Sequence, residues 1–247
     1  MNVLGYGVDL SRHQTPASIP WPDWKGRIDH AFARASYGAE LADKTAMAHL
    51  ANARAIGVKV GLYHFFRDVH SVSDQLNTFN AIASSCRLGP GDIVPALDLE
   101  SDSFTKRSAT PAWSESARDL ADELVKMYGD CIVYINKGDF ALMGEPAWVL
   151  ERPLWIARYT ADEHVPTIGG KLPILWQDRV DDFDPSGPGG YDEHATLAID
   201  QSRRLAELPL IPPHVTDEDR VRVEGMNALS LDEQIRNVKE TEPDRLS

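Results

Sequence analysis

Short apolar runs alternate along the chain with longer stretches whose apolar residues recur at helical spacing, the pattern of a parallel sheet with helical crossovers. Eight runs read as strands: 6–10, 30–36, 59–65 (KVGLYHF), 93–99 (IVPALDL), 131–135, 154–157, 174–177 and 197–200. Residues 43–56 are helical by alanine content and spacing, and Gly57 ends the helix. Residues 73–85 carry Leu76, Phe79 and Ile82 at helical intervals, and 113–128 put Leu120, Leu124 and Met127 on one face. After the fifth run the connections lose helical periodicity, and 178–190 (DRVDDFDPSGPGG) reads as a loop from its Gly, Pro and Asp content. Eight strands, with full helices mostly in the first half, predict an α/β fold: an irregular TIM-like (β/α) barrel with helices reduced in the second half.

The barrel is expected to occupy 1–207, followed by a charged C-terminal extension. Residues 208–215 (LPLIPPHV) read as an extended linker, and truncation after Leu208 is expected to leave the barrel folded. Beyond them the chain is highly charged. Ser230-Leu231-Asp232-Glu233 is a capping-box pattern, so a short helix over 231–239 is expected. This tail reads as a docking element for a protein partner, as a segment packed on the barrel, or as a solvated tail.

A length of 247 residues suits one barrel, and 43% hydrophobic residues suffice for its core. The formal net charge of −13 disfavours nonspecific binding of nucleic acid or anionic lipid. No apolar run approaches membrane-spanning length, so no membrane insertion is expected. The first residues, MNVLGYGVD, lack the basic and apolar regions of a signal peptide, so synthesis in the cytoplasm is expected. Cys86 and Cys131 are the two cysteines, too few for a disulfide framework and without zinc-site spacing. Cys131 opens an apolar strand and reads as a buried thiol, with a single bridge left open. No metal or cofactor is implied. The acids Asp178, Asp181, Asp182 and Asp184 lack the spacing of an EF-hand and read as a solvated loop.

The strongest local feature is Asp98-Leu99-Glu100, at the end of an apolar run typical of a buried parallel strand. Side chains at i and i+2 share one face of a strand, so both carboxyls point the same way near its C-terminal end. In a barrel that end forms the active-site mouth. Carboxyls held close and desolvated cannot ionise independently, so one remains a proton donor at neutral pH. Glycosidic cleavage needs such a donor beside negative charge. Glu100, with the longer reach, is the candidate general acid. Asp9 and Asp200 also follow apolar β runs and fall near the same mouth. Tyr63 and His64, Tyr134, Trp155 and Tyr159, and Trp176 with Gln177 lie at comparable strand positions. Aromatic faces beside hydrogen-bonding groups suit sugar rings, although a single aromatic more often belongs to a core.

These segments resemble glycoside hydrolase family 25, the Chalaropsis-type muramidases of bacteria, fungi and phages. The resemblance rests on Gly7-Val8-Asp9-Leu10-Ser11 with Gln14, Phe32 to Gly38, and Gly61-Leu62-Tyr63-His64-Phe65 with Gln75 and Phe79. It continues through Pro95 to Glu100, Leu154 to Tyr159, Trp176-Gln177 and Ile199-Asp200. The resemblance implies hydrolysis of the β-1,4 bond between N-acetylmuramic acid and N-acetylglucosamine in peptidoglycan strands. It implies Glu100 as proton donor, Asp98 as partner carboxylate, and Asp9 and Asp200 as the rest of an acidic floor. Tyr63 would bind the reacting sugar, and Arg34, Tyr134, Trp155, Tyr159 and Gln177 complete the substrate-binding set. The pattern departs from the family at Arg34, where lysine is usual, and at Asp178, where tyrosine is frequent. Retention assisted by the substrate's own acetamido group is the favoured route.

One alternative is a catalytically inactive glycan-binding or structural barrel of a phage particle or secretion system, since fold alone does not fix function. A chitinase-like enzyme is less well matched, because Ala96 stands where its acid series would continue. A phosphate-binding barrel lacks its glycine-rich loop. Action on the wall would follow release by phage lysis or delivery by an injection or secretion machine.

Overall fold

The computed structural model describes residues 2–103, 111–160, 164–181, 190–191 and 197–215. The strands are β1 (Gly5–Leu10), β2 (His30–Tyr37), β3 (Leu41–Ala42), β4 (Lys59–Phe65), β5 (Ala96–Leu99), β6 (Ile132–Asn136), β7 (Leu154–Ala157), β8 (Leu175–Asp181), β9 (Gly190–Tyr191) and β10 (Ile199–Arg204). Eight of them close a barrel in the order β1-β2-β4-β5-β6-β7-β8-β10, with β10 returning to β1. The short strands β3 and β9 lie outside the ring, on β2 and β8. From β1 through β8 the ring is parallel, but β10 runs antiparallel to both neighbours.

The helices are α1 (Trp21–Trp24), α2 (Thr45–Ala55), α3 (Val72–Ser85), α4 (Pro111–Tyr128), α5 (Lys137–Leu142) and α6 (Ala147–Leu150). The Ser71 hydroxyl caps α3 by accepting from the Asp74 N–H at 3.1 Å. Helices α2 and α3 cover β2 and β4, and α4 packs on α3. After β6 the described residues form only the short helices α5 and α6, as the fading periodicity predicts. Cys86 and Cys131 are free and buried, and burial pushes both thiols up to about 12.

Inside the ring, packing follows the two-residue period of the strands. Phe32 fills the space left by Gly61, where a Cβ would lie 2.5 Å from the phenyl ring. The rings of Phe32 and Trp155 sit 4.8 Å apart, and Tyr134 meets Trp155 edge-on at 5.1 Å. The Trp155 indole N–H donates to the Ser202 hydroxyl at 2.9 Å, which ties β7 to β10. This aromatic layer plugs the barrel below its mouth.

Three expectations change. The fourth strand begins at Ala96 rather than at residue 93, because Val94 donates its N–H to the Pro209 carbonyl and Ile93 bridges Leu210. The stretch 178–190 is not a loop from its start. Asp178 to Asp181 complete β8, and Asp178 is buried between Arg179 and Arg203, with O···N distances of 3.1 and 2.8 Å. Asp182 and Asp184 lie outside the described residues. Residues 208–215 are extended but not a linker: they run along the base of the barrel, where Leu208, Ile211 and Val215 join the buried core. Gly91 donates to the Ile211 carbonyl at 3.0 Å, and Ile211 donates back to Asp92 at 2.8 Å. The expected helix at 231–239 lies outside the described residues.

Truncation after Leu208 is therefore expected to lower the midpoint of thermal unfolding, because it removes the buried Ile211 and Val215. At about 1.5–3 kcal/mol for each buried side chain, the loss is several degrees. Calorimetry of a product ending at Leu208 beside one ending at Val215 checks this outcome.

Candidate active site

The C-terminal ends of the parallel strands open on a cleft of about 850 Å³, including the space open to solvent. All ten residues singled out in the sequence line it: Asp9, Arg34, Tyr63, Asp98, Glu100, Tyr134, Trp155, Tyr159, Gln177 and Asp200. His64 and Trp176, which belonged to the same aromatic set, do not. They occupy the alternate face of their strands and point outwards. The Trp176 indole N–H donates to the Arg158 carbonyl at 2.9 Å, beneath the Arg203 guanidinium.

Asp200 reaches the mouth by a different route from the one its sequence suggests. It stands near the start of β10, not at the end of a parallel strand, and the reversed direction of β10 brings that start to the open end. Ala198 turns the chain into β10 with a φ of 44°, a left-handed conformation that costs a non-glycine residue about 1 kcal/mol. The Gln14 amide holds that turn by donating to the Ala198 carbonyl at 3.1 Å, while its Oε1 accepts from the Ser11 N–H at 3.0 Å. Gln14 thus joins the loop after β1 to the turn before β10.

Asp9 and Asp200 are direct partners across the β1–β10 ladder. Such partners have Cβ atoms about 5 Å apart, so two like charges face each other. Asp9 is buried, and its Oδ2 accepts from the Gln177 amide at 2.9 Å. Gln177 Oε1 accepts from the hydroxyls of Tyr134 and Tyr159 at 2.6 and 2.5 Å. The Tyr159 hydroxyl also lies 3.1 Å from Asp200 Oδ1. One amide thereby orients two phenols and one carboxyl around the acid pair.

Asp98 projects into the same space from β5, and no hydrogen bond from the described residues reaches its buried Oδ1. Glu100 follows at the half-buried edge, where its N–H donates to the Ser103 hydroxyl at 3.0 Å. Arg34 supplies positive charge beside this group and is held by Asp43 at 3.1 Å. Behind Tyr63, on the outer face of β4, His64 ties the sheet to α3. Its Nδ1 accepts from the Ser36 hydroxyl at 2.7 Å and its Nε2–H donates to Gln75 Oε1 at 3.0 Å. Burial pushes His64 down to about 4, so the ring is neutral at neutral pH.

Burial raises the Asp9 carboxyl well above the ordinary carboxylate range, and the charges of Asp200 and Glu100 raise it further. Burial also raises Asp98, with Glu100 and Asp9 adding to the shift and Arg34 opposing it. Burial lifts Asp200 to about 6. The cluster therefore sheds its protons in succession, at higher pH than separate exposed carboxyls would. A closed barrel with proton-holding carboxyls and aromatic side chains at its mouth is the architecture of a glycoside hydrolase.

The sequence profile of glycosyl hydrolases family 25 matches residues 8–178, more than half of the chain. The chain belongs to this family. Solved structures share the fold at low identity. A bacterial lysozyme from Streptomyces coelicolor is 21% identical with a TM-score of 0.66, covering 82% of this chain and 93% of its own. A muramidase from Trichobolus zukalii is 20% identical with a TM-score of 0.64, covering 83% and 95%. The catalytic domain of the endolysin ply40 from bacteriophage P40 of Listeria monocytogenes is 18% identical with a TM-score of 0.62, covering 83% and 95%. No curated protein matches the sequence.

Ser11, His13, Gln14, Leu10 and Phe65 also line the cleft and were not singled out as site residues. Leu10, Ser11, Gln14 and Phe65 fall within the family-like segments, which was the available signal. Nothing in the spacing marks His13.

The raised Asp200 carboxyl makes a signed stability prediction. Its charged form is disfavoured in the folded state, so the penalty is full above about pH 6 and fades as pH falls towards about 4. Asp200→Asn is expected to unfold later than wild type at pH 7–8, by on the order of 1 kcal/mol, with the difference vanishing near pH 4. Thermal melts of both proteins across that range check the sign.

Proposed function

We propose that the chain is a peptidoglycan hydrolase of the lysozyme type, cleaving the β-1,4 bond between N-acetylmuramic acid and N-acetylglucosamine. The observation that carries this reading is the Asp98–Glu100 pair at the end of β5, inside an aromatic-lined cleft with two further acids on its floor. Family membership supports it, as does a fold shared with proteins described as a lysozyme, a muramidase and an endolysin. Action on the wall would follow release by phage lysis or delivery by an injection machine. Among the described residues no helix is long and apolar enough to cross a membrane.

In this reading Glu100 is the general acid. Its position at the half-buried edge lets it reach the bridging oxygen of a strand lying along the cleft. Asp98 accepts the acetamido N–H of the reacting sugar on its unsatisfied Oδ1. That contact turns the acetamido carbonyl oxygen towards C1. The oxygen bonds to C1 as the bond from C1 to the leaving oxygen breaks, and Glu100 passes its proton to that oxygen. A water molecule then gives a proton back to Glu100 and adds to C1, which reopens the ring with retained configuration. Tyr63 and the Gln177-ordered phenols hold the sugar, and the charge that the Asp9–Asp200 pair retains favours the cationic intermediate.

Glu100→Gln is expected to fold with an unchanged melting profile and to lose roughly 10²–10⁴-fold in glycan cleavage, the usual contribution of a general acid. Purified peptidoglycan digested by wild type should yield fragments ending, after borohydride reduction, in reduced N-acetylmuramic acid by mass spectrometry. Wild-type turnover by Glu100→Gln would remove Glu100 from its role. No cleavage by folded wild type across several wall types would point to a binding barrel.

A further inference from the structure

The acidic floor of the cleft faces a cationic edge that acid catalysis does not require. Arg34 is largely buried yet lines the cleft. Its Nε and one terminal nitrogen meet Asp43 Oδ2 at 3.2 and 3.1 Å. The same carboxylate oxygen accepts the Arg12 N–H at 2.8 Å, and its other oxygen accepts from the Thr45 hydroxyl at 2.6 Å. Asp43 is thus a single anion, saturated with donors, beside Arg34, the exposed Arg12 and the exposed His13. The His13 imidazole lines the cleft at the turn after β1, where partial burial, then the charges of Arg34 and Arg12, weaken its hold on a proton. The Arg34 charge also reaches Asp98 and Tyr63, so this edge borders the place where the bond is cut.

We propose that Arg34 and His13, flanked by Arg12, form a subsite for a carboxylate carried by the muramoyl residue of the strand. This rests on the reading of the chain as a peptidoglycan hydrolase. A strand built only of N-acetylglucosamine is neutral and offers the two arginines no counter-charge beyond Asp43. A muramoyl residue carries a lactyl ether at C3, which ends in a free carboxylate or continues into a peptide stem with carboxylates of its own. An anion entering the cleft finds only carboxyls on the floor, at Asp9, Asp98 and Asp200, which leaves the Arg34 side as its seat. The guanidinium fork and an imidazole N–H match a carboxylate in geometry as well as charge. The contact orients the strand by choosing which sugar sits beside Asp98.

The test compares stem-free strands, peptide-bearing strands, and both after conversion of their carboxylates to methylamides. Wild type is expected to show a KM about tenfold lower on strands with free carboxylates than on their methylamides, with kcat little changed. His13→Gln, and Arg12→Gln/His13→Gln should the single change be small, is expected to erase most of that difference. A preference for stem-free strands assigns the lactyl carboxylate, and a preference for peptide-bearing strands assigns the stem. Strands cleaved equally well with and without carboxylates would overturn the subsite and leave the hydrolase reading standing. A second readout is independent of turnover. Binding of N-acetylmuramic acid or muramyl dipeptide, but not N-acetylglucosamine, should shift the His13 ring resonances in NMR spectra. If neither acid shifts them, the subsite is wrong even where cleavage fails altogether.

Discussion

Asp9 and Asp200 face each other across the seam where the barrel closes, and the mouth is built around the electrostatic penalty of that pairing. Two carboxyls in register, both withdrawn from water, cannot both be charged at little cost. The Gln177 amide meets one of them, the Tyr159 hydroxyl meets the other, and Tyr134 joins the same amide. Arg34 opposes the ionisation penalty at Asp98 from across the cleft. A site of this kind lowers stability in exchange for a proton held where it can be used.

The direction of β10 makes this possible. In a fully parallel barrel the eighth strand would bring its C-terminal end to the mouth, and Arg203 and Arg204 would stand there. Running antiparallel, β10 presents its first residues instead, and Arg203 and Arg204 are carried towards the base. There Arg203 pairs with Asp178, and Arg204 pairs with Asp29 at 2.7 Å. The reversal separates the basic end of one strand from the acidic mouth. The left-handed Ala198 and its bond from Gln14 are the local price of that turn.

Much of this was legible in the sequence. Apolar runs ending in acids located Asp9, Asp98 and Glu100, because a buried parallel strand has few other reasons to finish in carboxyls. The aromatic set was legible only in part. Strand period alone separates Tyr63 from His64, but which of the two faces the cleft depends on the ring being closed. The direction of β10 was not legible, since the apolar run read as a strand, 197–200, barely overlaps its start and Gln201 to Arg204 are polar. Residues 208–215 read as a linker because three prolines and a polar continuation hide Ile211 and Val215, and because the backbone partners of Pro209 and Ile211, at Val94, Gly91 and Asp92, lie far away in sequence. His13 gave no signal, because its role depends on Arg34 and Asp43 folding beside it. Asp178 read as solvated for a similar reason: its counter-charge Arg203 comes from a distant strand.

The most direct measurement is a pH titration of the aspartate side-chain carboxyl carbons by NMR, assigned by single Asp→Asn changes. The buried cluster should show Asp200 with a midpoint near 6 and Asp9 and Asp98 above the ordinary carboxylate range, with coupled steps. Midpoints for all three near 4, independent of one another, would contradict a proton-holding mouth.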